Sequence, residues 1–191
     1  MKIAITGGIG CGKSTVLEFL KANGLACLST DSIVRQLLSE DLSVVESVIE
    51  HFGSECKNED GTVDRSRIAK IVFQSHSELE WLESLLHPLV KEAYAEFLKD
   101  HDQSPAVVEI PLLFEKRLEK DFDLSVSVIC SDANANKRLR LKGYSERDIT
   151  FRRQHQLSCS IKAERSDFVL SNDGSLNFLE RQMTSLLSYL K

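Results

Sequence analysis

The sequence predicts an α/β protein with a parallel sheet and a long helical insertion, built around a phosphate-binding loop. Three observations predict it. The stretch Gly7-Gly8-Ile9-Gly10-Cys11-Gly12-Lys13-Ser14 satisfies G-x-x-x-x-G-K-[ST] between a strand-like run and a helix-like one. Short apolar runs rich in β-branched residues recur with helix-patterned stretches between them, as parallel strands buried on both faces require. From Leu42 to Asp100 the periodicity is helical in several pieces, so much helix between two strands that an inserted cap over the sheet is expected.

The first strand is Lys2-Ile3-Ala4-Ile5-Thr6, and Val16, Leu17, Phe19 and Leu20 give the helix from Ser14 to Ala22 its apolar face. Between them, the glycines at 7, 8, 10 and 12 let successive backbone N–H groups turn toward an anion, with the positive end of the helix dipole behind them. Lys13 can reach the β- and γ-phosphates, and the Ser14 hydroxyl is placed to ligate Mg²⁺. Asn23-Gly24 stops the helix, and Leu25 to Leu28 forms a second strand ending at Ser29-Thr30-Asp31. Asp31 thus has two readings, a carboxylate at the ligand-binding edge of the sheet or an N-cap for the helix carrying Ile33, Val34, Leu37 and Leu38.

In the inserted stretch one face is marked by Val44, Val45, Val48, Ile49 and Phe52, a second by Ile68, Ile71, Val72 and Phe73, and a third by Leu79, Trp81, Leu82, Leu85 and Leu86. A turn at Asn58-Glu59-Asp60-Gly61 separates the first two, and Pro88 is expected to kink or restart the last helix. The sheet resumes at Ala106 to Ile110 and Leu124 to Cys130. Glu109, an acid in an otherwise apolar strand, is either a carboxylate for Mg²⁺ or its water shell or a rim carboxylate paired with a nearby base. A basic helix from Ala133 to Lys142, a break at Gly143-Tyr144 and a new helix start at Ser145 follow; Phe168 to Leu170 is the last strand, with a closing helix through Leu176, Leu179, Met183 and Leu187.

At 191 residues, 42% hydrophobic and 28% charged, the chain suits one globular domain with an inserted substructure. No apolar run is long enough to cross a bilayer, and Met1-Lys2 leads straight into the first strand without room for a secretory leader, so a cytoplasmic protein with no membrane partner is expected. The five cysteines are scattered, with no C-x-x-C pair, and indicate neither a disulfide framework nor a zinc site. Cys11, beside a helix N-terminus, is expected to have a lowered pKa and to be open to oxidation. The five histidines show no metal spacing and read as surface or structural residues. A formal charge of −5 argues against nucleic-acid binding. Positive charge is nevertheless gathered between Lys137 and Arg165, which suits a polyphosphate or, alternatively, a solvated helical face. A monomer or weak homo-oligomer is expected.

Several elements together carry a resemblance. They are the opening Ile5-Thr6-Gly7-Gly8-Ile9-Gly10-Cys11-Gly12-Lys13-Ser14-Thr15; Thr30-Asp31-Ser32; Gly61-Thr62-Val63-Asp64-Arg65; Leu86-His87-Pro88-Leu89; Ile110-Pro111-Leu112-Leu113-Phe114-Glu115; Arg152 with Gln156; and Ser166-Asp167-Phe168-Val169-Leu170 ahead of Asn172 and Gly174. In this order they resemble the dephospho-coenzyme A kinases over essentially the whole chain. The resemblance implies a phosphate-loop NTPase of the nucleotide-kinase type: a five-stranded parallel sheet flanked by helices, in one domain of residues 1–191. The sheet core would be about 1–41 and 104–191, the acceptor-binding helical cap about 42–103, and a lid closing over ATP about 138–160.

The reaction implied is Mg²⁺-dependent transfer from ATP to the ribose 3′-hydroxyl of dephospho-coenzyme A, the small-molecule partner. By the same resemblance Asp31 takes the hydroxyl proton and orients the acceptor, as the second acid of the family's D-x-D. Gly8, Gly10, Cys11, Gly12, Lys13, Ser14 and Thr15 hold the ATP phosphates; Arg138 and Arg152 steady phosphate charge; Asn172 lies near the adenine; and Arg65, His87, Pro88 and Leu112 belong to the acceptor side. The chain departs from the family pattern with Cys11 for a frequent serine, Ser29 for the first acid, and Glu109 for an aspartate. A kinase of another small acceptor would share loop, sheet and lid but not the 86–89 and 110–115 elements. A GTPase switch would need D-x-x-G and [NT]-K-x-D, and neither occurs.

Overall fold

A computed structural model describes residues 1–190. In chain order it comprises β1 (Lys2–Gly7), α1 (Lys13–Ala22), β2 (Ala26–Ser29), α2 (Thr30–Glu40), α3 (Leu42–Phe52), α4 (Arg65–Val72), α5 (His76–Asp100), β3 (Ala106–Glu109), β4 (Leu124–Ile129), α6 (Asp132–Leu141), α7 (Glu146–Gln154), α8 (Cys159–Arg165), β5 (Phe168–Ser171) and α9 (Leu176–Leu190). Two 3₁₀ turns lie at Ser54–Cys56 and Glu119–Asp121.

Among the described residues the strands form one five-stranded sheet in the order β2-β3-β1-β4-β5, and every pairing is parallel. The central strand β1 is buried from Ile3 to Gly7 because both faces are covered, which explains its unbroken apolar reading. Ile3, Ile5, Val107, Val126 and Val128 pack with Val16 and Leu20 of α1 and with Leu179, Met183 and Leu186 of α9 in one core cluster. Parallel strands put all their C-terminal ends on one edge, so the loop after β1, the end of β3 at Glu109 and the turn after β4 share that edge.

The chain forms two compact units, Met1–Ser29 with Phe97–Lys191 and Thr30–Glu96. The helical unit begins with α2 because Leu38 is buried in the same cluster as Val44, Val48, Phe52, Ile68, Val72 and Leu86, with Val34 and Leu37 against it. Asp41 caps α3 by accepting from Ser43 N and Val44 N, and Asp64 caps α4 through Ser66 N and Arg67 N. Trp81 stacks on His51 at 3.7 Å and meets Phe52 edge-on.

Pro88 does not restart a helix; α5 runs through it as one 25-residue element. Proline removes one backbone donor and costs about 3 kcal/mol in a helix interior. Burial of neighbours such as Leu86 and Val90 offsets that cost at about 1.5–3 kcal/mol each. Helix α8 had no strong periodic signal. It is defined by its cap, Ser158 accepting from Ile161 N, and by Lys162, which is completely buried.

The approach to β5 is tied to β4 by Asp167, whose carboxylate accepts from Ser125 N at 2.8 Å and Ser125 Oγ at 2.7 Å. These hydrogen bonds, the hydroxyl's first, hold its pKa below the ordinary 3.8. A depressed carboxylate contributes stability that is full above the ordinary value and lost as pH falls through the folded value. Urea unfolding followed from neutral to acid pH is therefore expected to show stability falling below about 3.8. Asp167→Asn should be less stable at neutral pH and show a shallower acid loss, whereas an unchanged profile would contradict this role for Asp167.

Candidate active site

The loop between β1 and α1 is shaped by its glycines and held by side chains from remote parts of the chain. Gly12, immediately before α1, has φ 98°, and a Cβ there would fall 2.3 Å from Asn172 Nδ2, so the position demands glycine for both backbone and space. Lys13 is buried, and its ammonium folds back to donate to Gly7 O at 3.1 Å and Gly8 O at 3.2 Å. This places a cation inside the ring of the loop, where an anion would exchange carbonyl partners for phosphate oxygens. Ser14 is exposed and Thr15 half-buried in the first turn of α1, where helix N–H groups lack intrahelical partners.

Three side chains clamp the loop. Arg138 on α6 donates from Nη1 to Gly10 O at 3.4 Å and from Nη2 to Asn172 O at 2.7 Å and Asn172 Oδ1 at 3.2 Å. Asn172, just after β5, donates from Nδ2 to Cys11 O at 2.8 Å. Gln156 accepts from Ile9 N at 3.1 Å. Asp173 fixes the start of α6 by accepting from Ser131 N, Ser131 Oγ and Asn134 Nδ2 at 2.7–2.9 Å, and these bonds hold its pKa down. In this conformation Arg138 and Asn172 thus act on the loop backbone, while the resemblance assigns them to phosphate and adenine.

Glu109 ends β3 in register with Ile5 on one side and Ser29 on the other, and is buried. The turn after it is anchored through Pro111 O, which accepts from Thr6 Oγ1 at 3.2 Å and Lys162 Nζ at 2.5 Å; Leu112 follows, half-buried. The Lys162 ammonium also pairs with Glu115 Oε1 at 2.9 Å, which accepts from Leu157 N at 2.7 Å. Burial pulls the Lys162 pKa down, and Glu115 works against that shift.

In the helical unit Asp31 lies exposed in the first turn of α2, one residue inside a helix that starts at Thr30. Arg65 is the first residue of α4, exposed beside its cap Asp64, and His87 and Pro88 are exposed on α5. In the basic segment, Arg140 pairs with Glu146 at 2.5 Å and Arg153 with Asp132 at 3.2 Å, so part of its charge is neutralised locally. The guanidinium of Arg152 lies 5.1 Å from the centre of the Tyr144 ring.

One expectation is overturned. Cys11 is almost wholly buried, and its pKa is raised rather than lowered, first by the hydrogen bond with Cys130 and then by desolvation, against a lowering contribution from Cys159. The sequence also leaves Gln156, Asp173 and the Lys162–Glu115 pair without roles, because nothing local in the chain signals contacts to partners more than 30 residues away.

The donor set fits a nucleotide and its metal. Backbone N–H groups, a buried ammonium and glycine-shaped space suit phosphate. The hard oxygens of Ser14 and Glu109 suit Mg²⁺, which takes few protein ligands and completes its shell from phosphate and water. Among the described residues no group of three acidic, histidine or cysteine side chains could hold a metal ion by itself. No helix among them is long and apolar enough to cross a membrane.

Sheet order, loop and flanking helices define a phosphate-loop fold, shared with shikimate kinase from Bacteroides thetaiotaomicron at a TM-score of 0.57 and 14% identity, over 100% of this chain and 98% of that one. The family model for dephospho-CoA kinase matches residues 1–177. The chain is 33% identical over 192 residues to the dephospho-CoA kinase of Bdellovibrio bacteriovorus, covering 99% of this chain and 96% of the relative. It is 36% identical to that of Protochlamydia amoebophila, covering 100% and 96%. The dephospho-CoA kinase structure from Campylobacter jejuni superposes with a TM-score of 0.73 at 23% identity, over 98% of this chain and 96% of that one. The chain belongs to the dephospho-CoA kinase family.

Asn172→Ala removes the donor to Cys11 O and one acceptor of Arg138 at once. Leaving such buried groups unsatisfied costs about 1–3 kcal/mol, so calorimetry is expected to show ATP bound about 5- to 150-fold more weakly if the cost falls on the loop's binding geometry. Unchanged ATP affinity in a folded variant would show that the clamp does not shape the loop.

Proposed function

We infer that this chain transfers the γ-phosphoryl group of ATP to the ribose 3′-hydroxyl of dephospho-coenzyme A, giving coenzyme A and ADP, the last step of coenzyme A biosynthesis. The observation that carries the reading is the complete phosphate loop, with Lys13 inside it, in a chain matched to the dephospho-CoA kinase family from residue 1 to 177. Phosphoryl transfer asks the protein chiefly for positioning and charge stabilisation. Gly8 to Thr15 holds the phosphates, and Lys13 leaves the Gly7 and Gly8 carbonyls for phosphate oxygen. Arg138 and Arg152 supply further positive charge, and Asn172 borders the base.

Ser14 and Glu109 would hold Mg²⁺, directly or through water, and the ion would neutralise charge on the β- and γ-phosphates. Asp31 accepts the acceptor hydroxyl's proton, and Arg65, His87, Pro88 and Leu112 bind the acceptor. The segment of about 138–160 closes over ATP and excludes water. The test is an assay of ADP release with dephospho-coenzyme A set beside AMP and other hydroxyl acceptors. Release dependent on dephospho-coenzyme A supports the reading, and preference for another acceptor contradicts it.

Asp31 separates a chemical role from a local helical one. Asparagine replaces aspartate near a helix start at little cost. Loss of a general base typically lowers rate by about 10²–10⁴. Asp31→Asn is expected to stay folded, to bind ATP normally and to lose kcat by at least about a hundredfold. Retention of more than about a tenth of wild-type turnover, well short of that range, would move the role of base away from Asp31.

A further inference from the structure

Three of the five cysteines, far apart in the chain, meet behind the phosphate loop. Cys11 Sγ lies 3.4 Å from Cys130 Sγ at the end of β4 and 3.5 Å from Cys159 Sγ at the start of α8. All three are free thiols. Cys11 and Cys130 are buried, whereas Cys159 is partly exposed. The pair also presses on the loop itself: a Cβ added at Gly8 would fall 2.7 Å from Cys159 Sγ and 3.1 Å from Cys11 Sγ. The kinase reaction has no use for any of these sulfurs.

We propose that Cys11 and Cys159 form a reversible disulfide when the protein meets a hydroperoxide, and that this bond disables the phosphate loop. Of the three residues, Cys159 is the one that is not buried. Its sulfur attacks one peroxide oxygen, the O–O bond breaks, and water leaves, giving a sulfenic acid on Cys159. The Cys11 sulfur then attacks the Cys159 sulfur. The S–S bond forms as the S–O bond breaks, and the departing hydroxide takes the Cys11 proton as a second water. Two thiols lose two hydrogens and two electrons, and one hydrogen peroxide becomes two waters. A dithiol returns both cysteines by exchange.

The geometry links the bond to function. A disulfide needs its sulfurs about 2.05 Å apart, so the two must approach from 3.5 Å. Cys11 cannot move alone: its N–H bonds Gly8 O at 3.2 Å and its carbonyl accepts from Asn172 Nδ2 at 2.8 Å. Closing the gap therefore pulls on the turn that presents N–H groups to phosphate, and it fastens α8 to that turn. Hydrogen bonding and burial keep both thiols above their ordinary pKa, Cys11 first through Cys130 and Cys159 first through Cys11.

The loss of ATP binding rests on the loop being the ATP site, whereas the bond itself can be tested independently. The full chain is treated with hydrogen peroxide, alkylated, and mapped by mass spectrometry without reduction. The expected result is a loss of two hydrogens and a cross-linked peptide pair joining Cys11 to Cys159. ATP affinity by calorimetry should weaken at least about tenfold and return with dithiothreitol. Cys159→Ser, checked for folding by its melting temperature, should form no such link and keep its ATP affinity after peroxide, while Cys130→Ser should still form it. A Cys11–Cys130 link, sulfinic acid without cross-linking, or a Cys11–Cys159 bond that leaves ATP affinity unchanged would overturn the proposal.

Discussion

The phosphate loop has to hold its N–H groups toward a place that holds no phosphate until ATP arrives, and every other feature of the sheet unit serves that constraint. A turn made of glycine is entropically free to collapse. Here it is kept open from outside: Arg138 grips Gly10 O, Asn172 grips Cys11 O, and Gln156 receives Ile9 N. Arg138 and Asn172 also grip each other. The loop is thus one wall of a small hydrogen-bonded network whose other members come from α6, the end of α7 and the end of β5.

The parallel sheet makes that network possible. With β1 in the middle and β4 and β5 to one side, residues separated by more than a hundred positions emerge at the same edge. The second anchor, Lys162 with Glu115 and Pro111 O, does the same for the turn after β3. A buried ion pair is weak evidence for net stability, since desolvation opposes the Coulombic gain. Its clearer contribution is positional: it joins α8 to the turn carrying Leu112, and the same α8 begins with Cys159 against the loop.

The sequence made legible what depends on local pattern. The loop motif, the strands and the apolar faces of the helical unit all carry periodicity or fixed spacing. It was silent where partners are remote. Asn172 could be singled out by resemblance, but not as the side chain that forbids a Cβ at Gly12. Cys11 was misread because proximity to a helix start suggested an activated thiol, whereas burial and two further sulfurs decide its state. That α2 packs with the helical unit shows only in the structure, where Leu38 joins residues of α3 and α4 in one cluster.

The central claim is that Arg138 and Asn172 act as one clamp on the loop. A double-mutant cycle on ATP affinity tests it most directly, using Arg138→Ala, Asn172→Ala and the pair, with folding verified for each. If the two residues work through their shared hydrogen bonds, the double variant should lose less binding free energy than the sum of the singles, by about 0.5–3 kcal/mol. Losses that add within about 0.3–0.5 kcal/mol would mean that each residue meets ATP on its own, and would contradict the account.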